Sequence, residues 1–201
     1  MALNRDTGSV GYVFSTPPTP FDDNEQAALA FIQSTSVDTY AQRIHNTTSL
    51  YTESGYDFMT PPEVTKLSTL KARGAKMMVF HGTSDAVFST NDTVNWYKEL
   101  DSNHSGKAAE FAKLYLIPGM GHCGKGPATD KFNMVDALVS WVENGVTPAE
   151  ILASVRVENT ELPADWSKTR TRPLCPFPQI AKYNGTGDIE YAASFSCVIS
   201  E

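Results

Sequence analysis

The stretch that most constrains this chain is a glycine-rich turn of nine residues, PGMGHCGKG, at positions 118–126. It directly follows an apolar run at positions 114–117 that predicts a buried strand. Four of the nine residues are glycines, which adopt backbone angles that other residues avoid. We therefore expect His122 on a tight loop at the end of a strand, where a catalytic base can be presented. The alternative is an ordinary histidine in a turn.

The composition excludes several classes of partner. The chain has 201 residues, enough for one sizeable core, and a formal net charge of −7. Phosphates would be repelled by such a surface, so we expect no nucleic-acid partner and no binding to an acidic membrane. No apolar stretch approaches the roughly 18 to 20 residues that would span a bilayer. The start, MALNRDTGSV, has no apolar core typical of a signal peptide, so we expect no export signal within this chain.

Three cysteines lie in the second half of the chain, at positions 123, 175 and 197. A disulfide between Cys175 and Cys197 would close a loop of 197 − 175 = 22 positions and stabilise the tail by about 3 kcal/mol. Cys123 would then lack a partner in this chain. Four glycosylation sequons favour an oxidising compartment together with the cysteines, at Asn46, Asn91, Asn103 and Asn184.

The first 62 residues predict little regular structure. Residues 11–14 are strand-like and run into prolines, which predicts an extended segment. Residues 23–51 have two short apolar faces at helical spacing, and residues 51–62 predict a loop by their glycine and prolines.

The middle of the chain predicts one βαβ unit. A short helix at 67–74 leads into a buried strand at 75–80, a helix begins near Ser89 to Asn91, and a second strand spans 113–117. We expect a parallel sheet covered on both faces. Asp85 follows the first strand and His122 the second, so both loops should emerge at the same sheet edge. The carboxylate could then hold the imidazole in one tautomer, although an aspartate in such a loop is often only a turn former.

A last helix is predicted after the glycine-rich turn. Apolar residues recur at helical spacing from Phe132 to Val142, and the helix ends at Asn144-Gly145. We expect its apolar stripe to pack on the sheet. The periodicity of residues 150–157 does not decide between a strand and a helix.

Several of these segments carry a resemblance to a known family. HGTSD, PGMGHC, WVENG and RTRPLCPFPQIAKYNGTGDIEYAASFSC resemble the C-terminal part of the tannase and feruloyl esterase family, α/β-hydrolases that cleave esters of aromatic carboxylic acids. GYVFSTPPT and YTESGYDFMTPP resemble the same family's join between lid and hydrolase domain. The resemblance implies an α/β fold of short parallel strands flanked by helices. It assigns residues 1–50 to the end of the lid and the return to the core, and residues 51–201 to the hydrolase domain with a disulfide-closed tail at 175–197.

The resemblance also implies residue roles. Asp85 matches the family's catalytic acid, His122 its base, and Phe88 an aromatic position beside the substrate ring. Cys123 matches a cysteine whose disulfide partner lies just before the nucleophilic serine, whereas Cys175 and Cys197 match a second, local disulfide. The family's calcium site lies in a part of the lid that this chain does not contain, so we expect no cofactor in this segment.

One departure from the family pattern concerns the nucleophile. The chain contains no G-x-S-x-G and no Cys-Ser pair. Ser84 adjoins Asp85 on the same loop and does not lie on a separate strand-to-helix turn, the nucleophile elbow. We therefore reject it as the nucleophile.

We therefore expect a C-terminal fragment or one subunit of a processed secreted enzyme, inactive alone. Its expected partners are the missing N-terminal half, which would carry the signal peptide, and an aromatic carboxylic ester. The alternative is a noncatalytic remnant or a binding subunit. A metal site formed by His81, His122 and Cys123 is a third hypothesis, disfavoured because their spacing matches no zinc pattern.

Overall fold

The structure, a computed structural model, describes residues 3–199 of the chain. Contacts divide the chain into two units, Met1–Val64 and Thr65–Glu201. No helix within residues 3–199 is long and apolar enough to cross a membrane.

The first unit is helical. Its elements are α1 (Leu3–Gly8), a π-helix (Ser9–Val13), α2 (Glu25–Gln33), α3 (Val37–His45) and α4 (Gly55–Met59). The two helices predicted within residues 23–51 are confirmed as α2 and α3. Asn24 and Ser36 cap them, because each side chain accepts a backbone N–H of the first turn.

Two predictions for this unit are wrong. Residues 11–13, predicted to be strand-like, lie in the π-helix, where Gly11 packs so closely that a Cβ would lie 2.8 Å from the Thr19 carbonyl oxygen. Part of the predicted loop at 51–62 is the helix α4. The buried Ser54 hydroxyl begins that helix by accepting the N–H of Asp57 at 3.0 Å.

The second unit contains the predicted βαβ arrangement. Its elements are α5 (Ser68–Ala72), β1 (Met77–Gly82), α6 (Thr90–Asn103), a 3₁₀ turn (Ala108–Glu110), β2 (Ala112–Ile117), β3 (Lys131–Phe132), α7 (Met134–Asn144), β4 (Ile151–Ser154), β5 (Thr171–Leu174), β6 (Gln179–Tyr183), a second 3₁₀ turn (Ala192–Ser194) and β7 (Phe195–Ile199). β1 and β2 pair in parallel, and Gly82 at the end of β1 lies opposite Ile117 at the end of β2. The two strand ends therefore meet at one edge, as predicted.

β2 is covered on both faces, whereas β1 is not. Tyr115 and Ile117 belong to one buried apolar cluster, and Ala112 and Leu114 belong to another. Phe80 of β1 is 48% exposed, so the prediction that β1 is buried is wrong for this chain. The physical reason is that residues 3–199 leave the Phe80 side chain half uncovered, although its ring contacts that of Phe132.

The apolar stripe of α7 is also more exposed than predicted. The helix begins at Met134 and ends at Gly145, whose left-handed backbone closes it, while Phe132 lies in β3. Met134 and Trp141 are buried, but the valines on the other side are exposed, namely Val135, Val139 and Val142. The prediction that this stripe packs on the sheet is wrong within the described residues.

The C-terminal part of the unit is antiparallel. β3, β4 and β5 form one sheet, so the undecided segment at 150–157 contains a strand, and β6 pairs with β7. The disulfide between Cys175 and Cys197 is confirmed and joins the end of β5 to β7.

Candidate active site

The loop after β1 presents Asp85 as a hydrogen-bond acceptor on both oxygens. Its Oδ1 accepts the backbone N–H groups of Val87 at 2.7 Å and Phe88 at 3.0 Å. This is the turn-forming bond that an aspartate makes in such loops. Oδ2 remains free for side-chain donors, so the turn-forming role and a role as an acid are compatible in one residue.

The loop after β2 brings His122 to that second oxygen. The Nδ1 of His122 lies 2.9 Å from Asp85 Oδ2 across a sequence separation of 37 residues. The Asp85 side chain is 3% exposed and the His122 side chain 40% exposed. The Nδ1 edge of the imidazole thus contacts a buried carboxylate, and the rest of the ring is accessible to an incoming group.

The two loops are joined by hydrogen bonds from backbone N–H groups. The N–H of Ser84 donates to the Met120 carbonyl oxygen at 3.0 Å, and the N–H of Gly119 donates to Thr83 Oγ1 at 3.0 Å. Gly82 has no room for a side chain, because a Cβ there would lie 2.3 Å from the Met120 carbonyl oxygen. This close approach sets the distance between the acid and the base.

Residues that the sequence analysis did not identify hold the glycine-rich turn. Glu161 Oε2 accepts the N–H of Gly126 at 2.7 Å, and Asn159 Nδ2 donates to the Gly126 carbonyl oxygen at 2.9 Å. Asp130 Oδ2 accepts the N–H of Lys125 at 2.8 Å. Glu161 and Asn159 lie more than 30 positions from the turn in an irregular segment, so no local pattern could have found them.

The carboxyl group of Asp85 is ionised over the working range of most enzymes. Burial alone would raise its pKa, but hydrogen bonds from His122 and from the N–H groups of Phe88 and Val87 lower the pKa to about 2. A carboxylate can only accept, so the Nδ1 of His122 carries the proton that it donates. Its Nε2 is then the basic nitrogen while the ring is neutral.

His81 also contacts the carboxylate. Its Nε2 lies 3.3 Å from Asp85 Oδ2, and its Nδ1 lies 2.7 Å from Thr93 Oγ1. From the sequence, His81 is a candidate only for a metal ligand. Among residues 3–199, no group of three or more histidines, cysteines or acids is arranged to hold a metal ion.

Phe88 and Cys123 flank the base. The Phe88 side chain is exposed, and its ring centroid lies 5.2 Å from that of His122, tilted by 57°. Cys123 is exposed and has a free thiol. The predicted roles of both residues, as an aromatic contact for substrate and as half of a disulfide, stay predictions.

No nucleophile accompanies this pair in the part of the chain that the structure describes. Ser84 is exposed, and within residues 3–199 no serine hydroxyl is hydrogen-bonded to His122. The arrangement can therefore accept and donate a proton at His122, but it lacks the attacking hydroxyl.

The chain is similar in sequence to several known proteins. The family model described as "Tannase and feruloyl esterase" matches residues 21–198. The chain is 41% identical over 192 residues to mono(2-hydroxyethyl) terephthalate hydrolase of Piscinibacter sakaiensis, covering 92% of this chain and 29% of that protein. It is 26% identical over 149 residues to feruloyl esterase B of Aspergillus niger, covering 66% of this chain and 27% of that protein.

Solved structures share the fold. Feruloyl esterase B from Aspergillus oryzae superimposes with a TM-score of 0.55 at 22% identity, over 92% of this chain and 35% of that one. Tannin acyl hydrolase from Aspergillus niger superimposes with a TM-score of 0.53 at 26% identity, over 72% of this chain and 26% of that one. The chain thus spans less than a third of the length of the curated relatives named above.

Proposed function

The chain belongs to the tannase and feruloyl esterase family, and we propose that it supplies the acid and the base of a serine carboxylic ester hydrolase. Asp85 is the acid and His122 is the base. The observation that carries this proposal is the bond of 2.9 Å between His122 Nδ1 and the buried Asp85 carboxylate. It joins two loops at adjacent strand ends, which is where α/β folds gather catalytic groups.

The chemistry follows from the protonation states. With Nδ1 donating to Asp85, the Nε2 of His122 takes the proton of a serine hydroxyl as that oxygen attacks the ester carbonyl. The same proton then passes to the departing alcohol, leaving an acyl-enzyme. A water molecule then attacks the acyl-enzyme with the same proton transfers through His122, and the carboxylic acid product is released. The Asp85 carboxylate stabilises the imidazolium ion that forms in each half of the reaction.

We propose an ester of an aromatic carboxylic acid as the substrate. Terephthalate and ferulate, the acids in the names of the two relatives, each carry the ester carbonyl on or conjugated to a benzene ring. The exposed ring of Phe88, 5.2 Å from the ring of His122, offers an apolar surface where such a ring could pack.

The serine belongs to polypeptide outside these 201 residues in this proposal. The chain contains no G-x-S-x-G and no Cys-Ser pair, and it spans 29% of the length of its bacterial relative. We propose that the missing N-terminal half packs beside β1 and pairs with the free thiol of Cys123. A disulfide at that position requires an oxidising compartment, and the bond between Cys175 and Cys197 is compatible with secretion.

The test is to sequence the gene upstream of Met1 and to express any in-frame polypeptide joined to this chain. We expect a Gly-x-Cys-Ser-x-Gly elbow and hydrolysis of methyl ferulate or methyl gallate. The chain alone should show no activity, and His122→Ala in the joined protein should lower kcat on the order of 10⁶-fold. His104→Ala is the matched control, since His104 lies at the end of α6. Full activity of the His122 variant would contradict the proposal.

A binding function is the second candidate, favoured by the absence of a nucleophile motif in the sequence. In that case no elbow is encoded upstream. The chain would bind ferulate or gallate without hydrolysing an ester. Equilibrium binding and ester turnover, measured on the same preparation, distinguish the two functions.

A further inference from the structure

Two imidazole rings lie close to the same oxygen of the Asp85 carboxylate. His122 Nδ1 lies 2.9 Å from Oδ2 and His81 Nε2 lies 3.3 Å from the same oxygen. A Ser-His-Asp mechanism requires only the first of these contacts. The second histidine lies on β1 itself, four residues before the acid, and has no part in the proton transfers described above.

The partners of His81 determine its tautomer. Its Nε2 faces two acceptors, the Asp85 carboxylate and the carbonyl oxygen of Phe88, each at 3.3 Å. That nitrogen carries the hydrogen and donates it to the Phe88 carbonyl oxygen, and the same N–H edge of the ring lies beside Asp85 Oδ2. Nδ1 can then accept the hydroxyl hydrogen of Thr93 at 2.7 Å. Both ring nitrogens are thus satisfied with the ring neutral.

Burial distinguishes the two histidines. The His81 side chain is 11% exposed and anchored to α6 through Thr93, whereas the His122 side chain is 40% exposed. The backbone bonds of Val87 and Phe88 hold only Oδ1 of Asp85. The groups that contact the other oxygen, Oδ2, are the two histidines. Of these, His81 is the more buried, and both of its ring nitrogens have partners in the fold.

We propose that His81 is a positioning residue that fixes Asp85 Oδ2 toward His122 before substrate binds. Thr93 orients the His81 ring, His81 orients the carboxylate, and the carboxylate selects the Nδ1–H tautomer of His122. The inference rests on the proposed function, because it assumes that Asp85 and His122 act as acid and base. Among the four residues that make these contacts, Asp85 and the two histidines are titratable.

The test uses nuclear magnetic resonance of the 201-residue chain, so it does not depend on hydrolysis. Side-chain ¹⁵N shifts report the tautomer of His122, and a low-field proton reports its bond to the carboxylate. We expect His81→Leu to reduce the ratio of the Nδ1–H to the Nε2–H tautomer of His122 about fivefold, the factor that one ordinary hydrogen bond contributes. The low-field proton should broaden.

Two further variants separate positioning from general stability. His81→Gln places an amide N–H near the position of Nε2 and should restore most of the tautomer ratio. Thr93→Val removes only the hydroxyl anchor, keeps the side-chain shape, and should shift the ratio in the same direction as His81→Leu. If His81→Leu does not fold, the tautomer ratio is measured on Thr93→Val.

The matched control is His104→Leu, which removes another histidine of the same unit whose ring contacts a backbone carbonyl, that of Lys66. It should leave the His122 spectrum unchanged even if it lowers stability. An unchanged His122 spectrum in folded His81→Leu or Thr93→Val would overturn the proposal, as would equal effects of Leu and Gln at position 81. Either result would leave the pairing of Asp85 with His122 intact, whereas failure of the proposed function would be seen in the activity of the joined protein.

Discussion

At the scale of single residues, Asp85 is the group on which the candidate site depends. Its two oxygens accept from two backbone N–H groups and from the imidazole of His122, and the His81 ring lies 3.3 Å from Oδ2. Three hydrogen-bond donors around one carboxylate favour the charged form, which is consistent with the lowered pKa. The same donors couple the charge of Asp85 to the stability of the fold.

Asp85 should therefore make stability depend on pH. Its pKa is lowered from 3.8 to about 2 in the folded chain, so the folded state favours the ionised form. This contribution to the free energy of unfolding is fully present above about pH 4 and is lost as the pH falls from about 4 toward 2. Asp85→Asn removes the titrating group. We expect the stability difference between the parent chain and this variant to shrink across that interval.

Urea unfolding at pH 5, 4 and 3 would measure this difference. Asp188→Asn, in the C-terminal segment between β6 and β7, is the control for the loss of a carboxylate. A difference between parent and Asp85→Asn that is the same at pH 5 and pH 3 would show that the charge of Asp85 does not stabilise the fold.

At the scale of elements, the glycine-rich turn depends on contacts from a distant segment. Gly126 has a φ of +74°, and a Cβ there would lie 2.1 Å from the Gly119 carbonyl oxygen, so the turn closes tightly upon itself. Its outer side is held by Asn159 and Glu161. The position of His122 therefore depends on a stretch that forms neither helix nor strand.

Removing the Glu161 acceptor should loosen the turn. Glu161→Ala leaves the N–H of Gly126 without its partner, so we expect hydrogen exchange at that amide to accelerate about fivefold. Glu161→Gln keeps a carbonyl oxygen at the same place and should change the exchange rate much less. Exchange followed by nuclear magnetic resonance provides the measurement. Equal rates in the parent chain and Glu161→Ala would mean that this contact does not restrain the turn.

At the scale of the whole molecule, the second unit exposes apolar surface that a closed α/β-hydrolase domain would cover. Phe80 on β1 and the three valines of α7 are exposed, and β1 pairs on one side only among residues 3–199. A groove of about 550 Å³ beside Phe88 is lined by Met77, Val79 and Trp96 together with residues of α6. An open strand edge beside apolar surface favours association with other chains.

We expect the isolated chain to self-associate through this surface. Val139→Lys combined with Val142→Lys adds two charges to it and should shift the sedimentation profile toward monomer. Lysine has a higher helix propensity than valine, so helix stability should not fall. Val157→Lys is the matched control, since Val157 is an exposed valine outside the helix. A parent chain that sediments as a monomer at all concentrations would contradict this expectation.

Much of the site could be predicted because its signals are local in sequence. Apolar runs predicted β1 and β2, a glycine stop predicted the end of α7, and the βαβ order placed Asp85 and His122 at one edge. The cysteine positions predicted the disulfide, and the resemblance added the expected catalytic chemistry. Exposure could not be predicted in the same way. The valines of α7 have the spacing of a packed face, but packing requires a partner, and the described residues do not supply it.

The amino-acid sequence by itself determined the strands β1 and β2, the helices α6 and α7, and the loops that carry Asp85 and His122. These follow from backbone preferences and from the period of the apolar residues, both of which act over a few positions. Only the tertiary structure decided that His81 lies beside the Asp85 carboxylate and that Asn159 and Glu161 hold the turn. It also decided that the residues around Gly11 form a π-helix. Each of these depends on atoms brought within about 3 Å by the folding of the surrounding chain, a distance that no local pattern encodes.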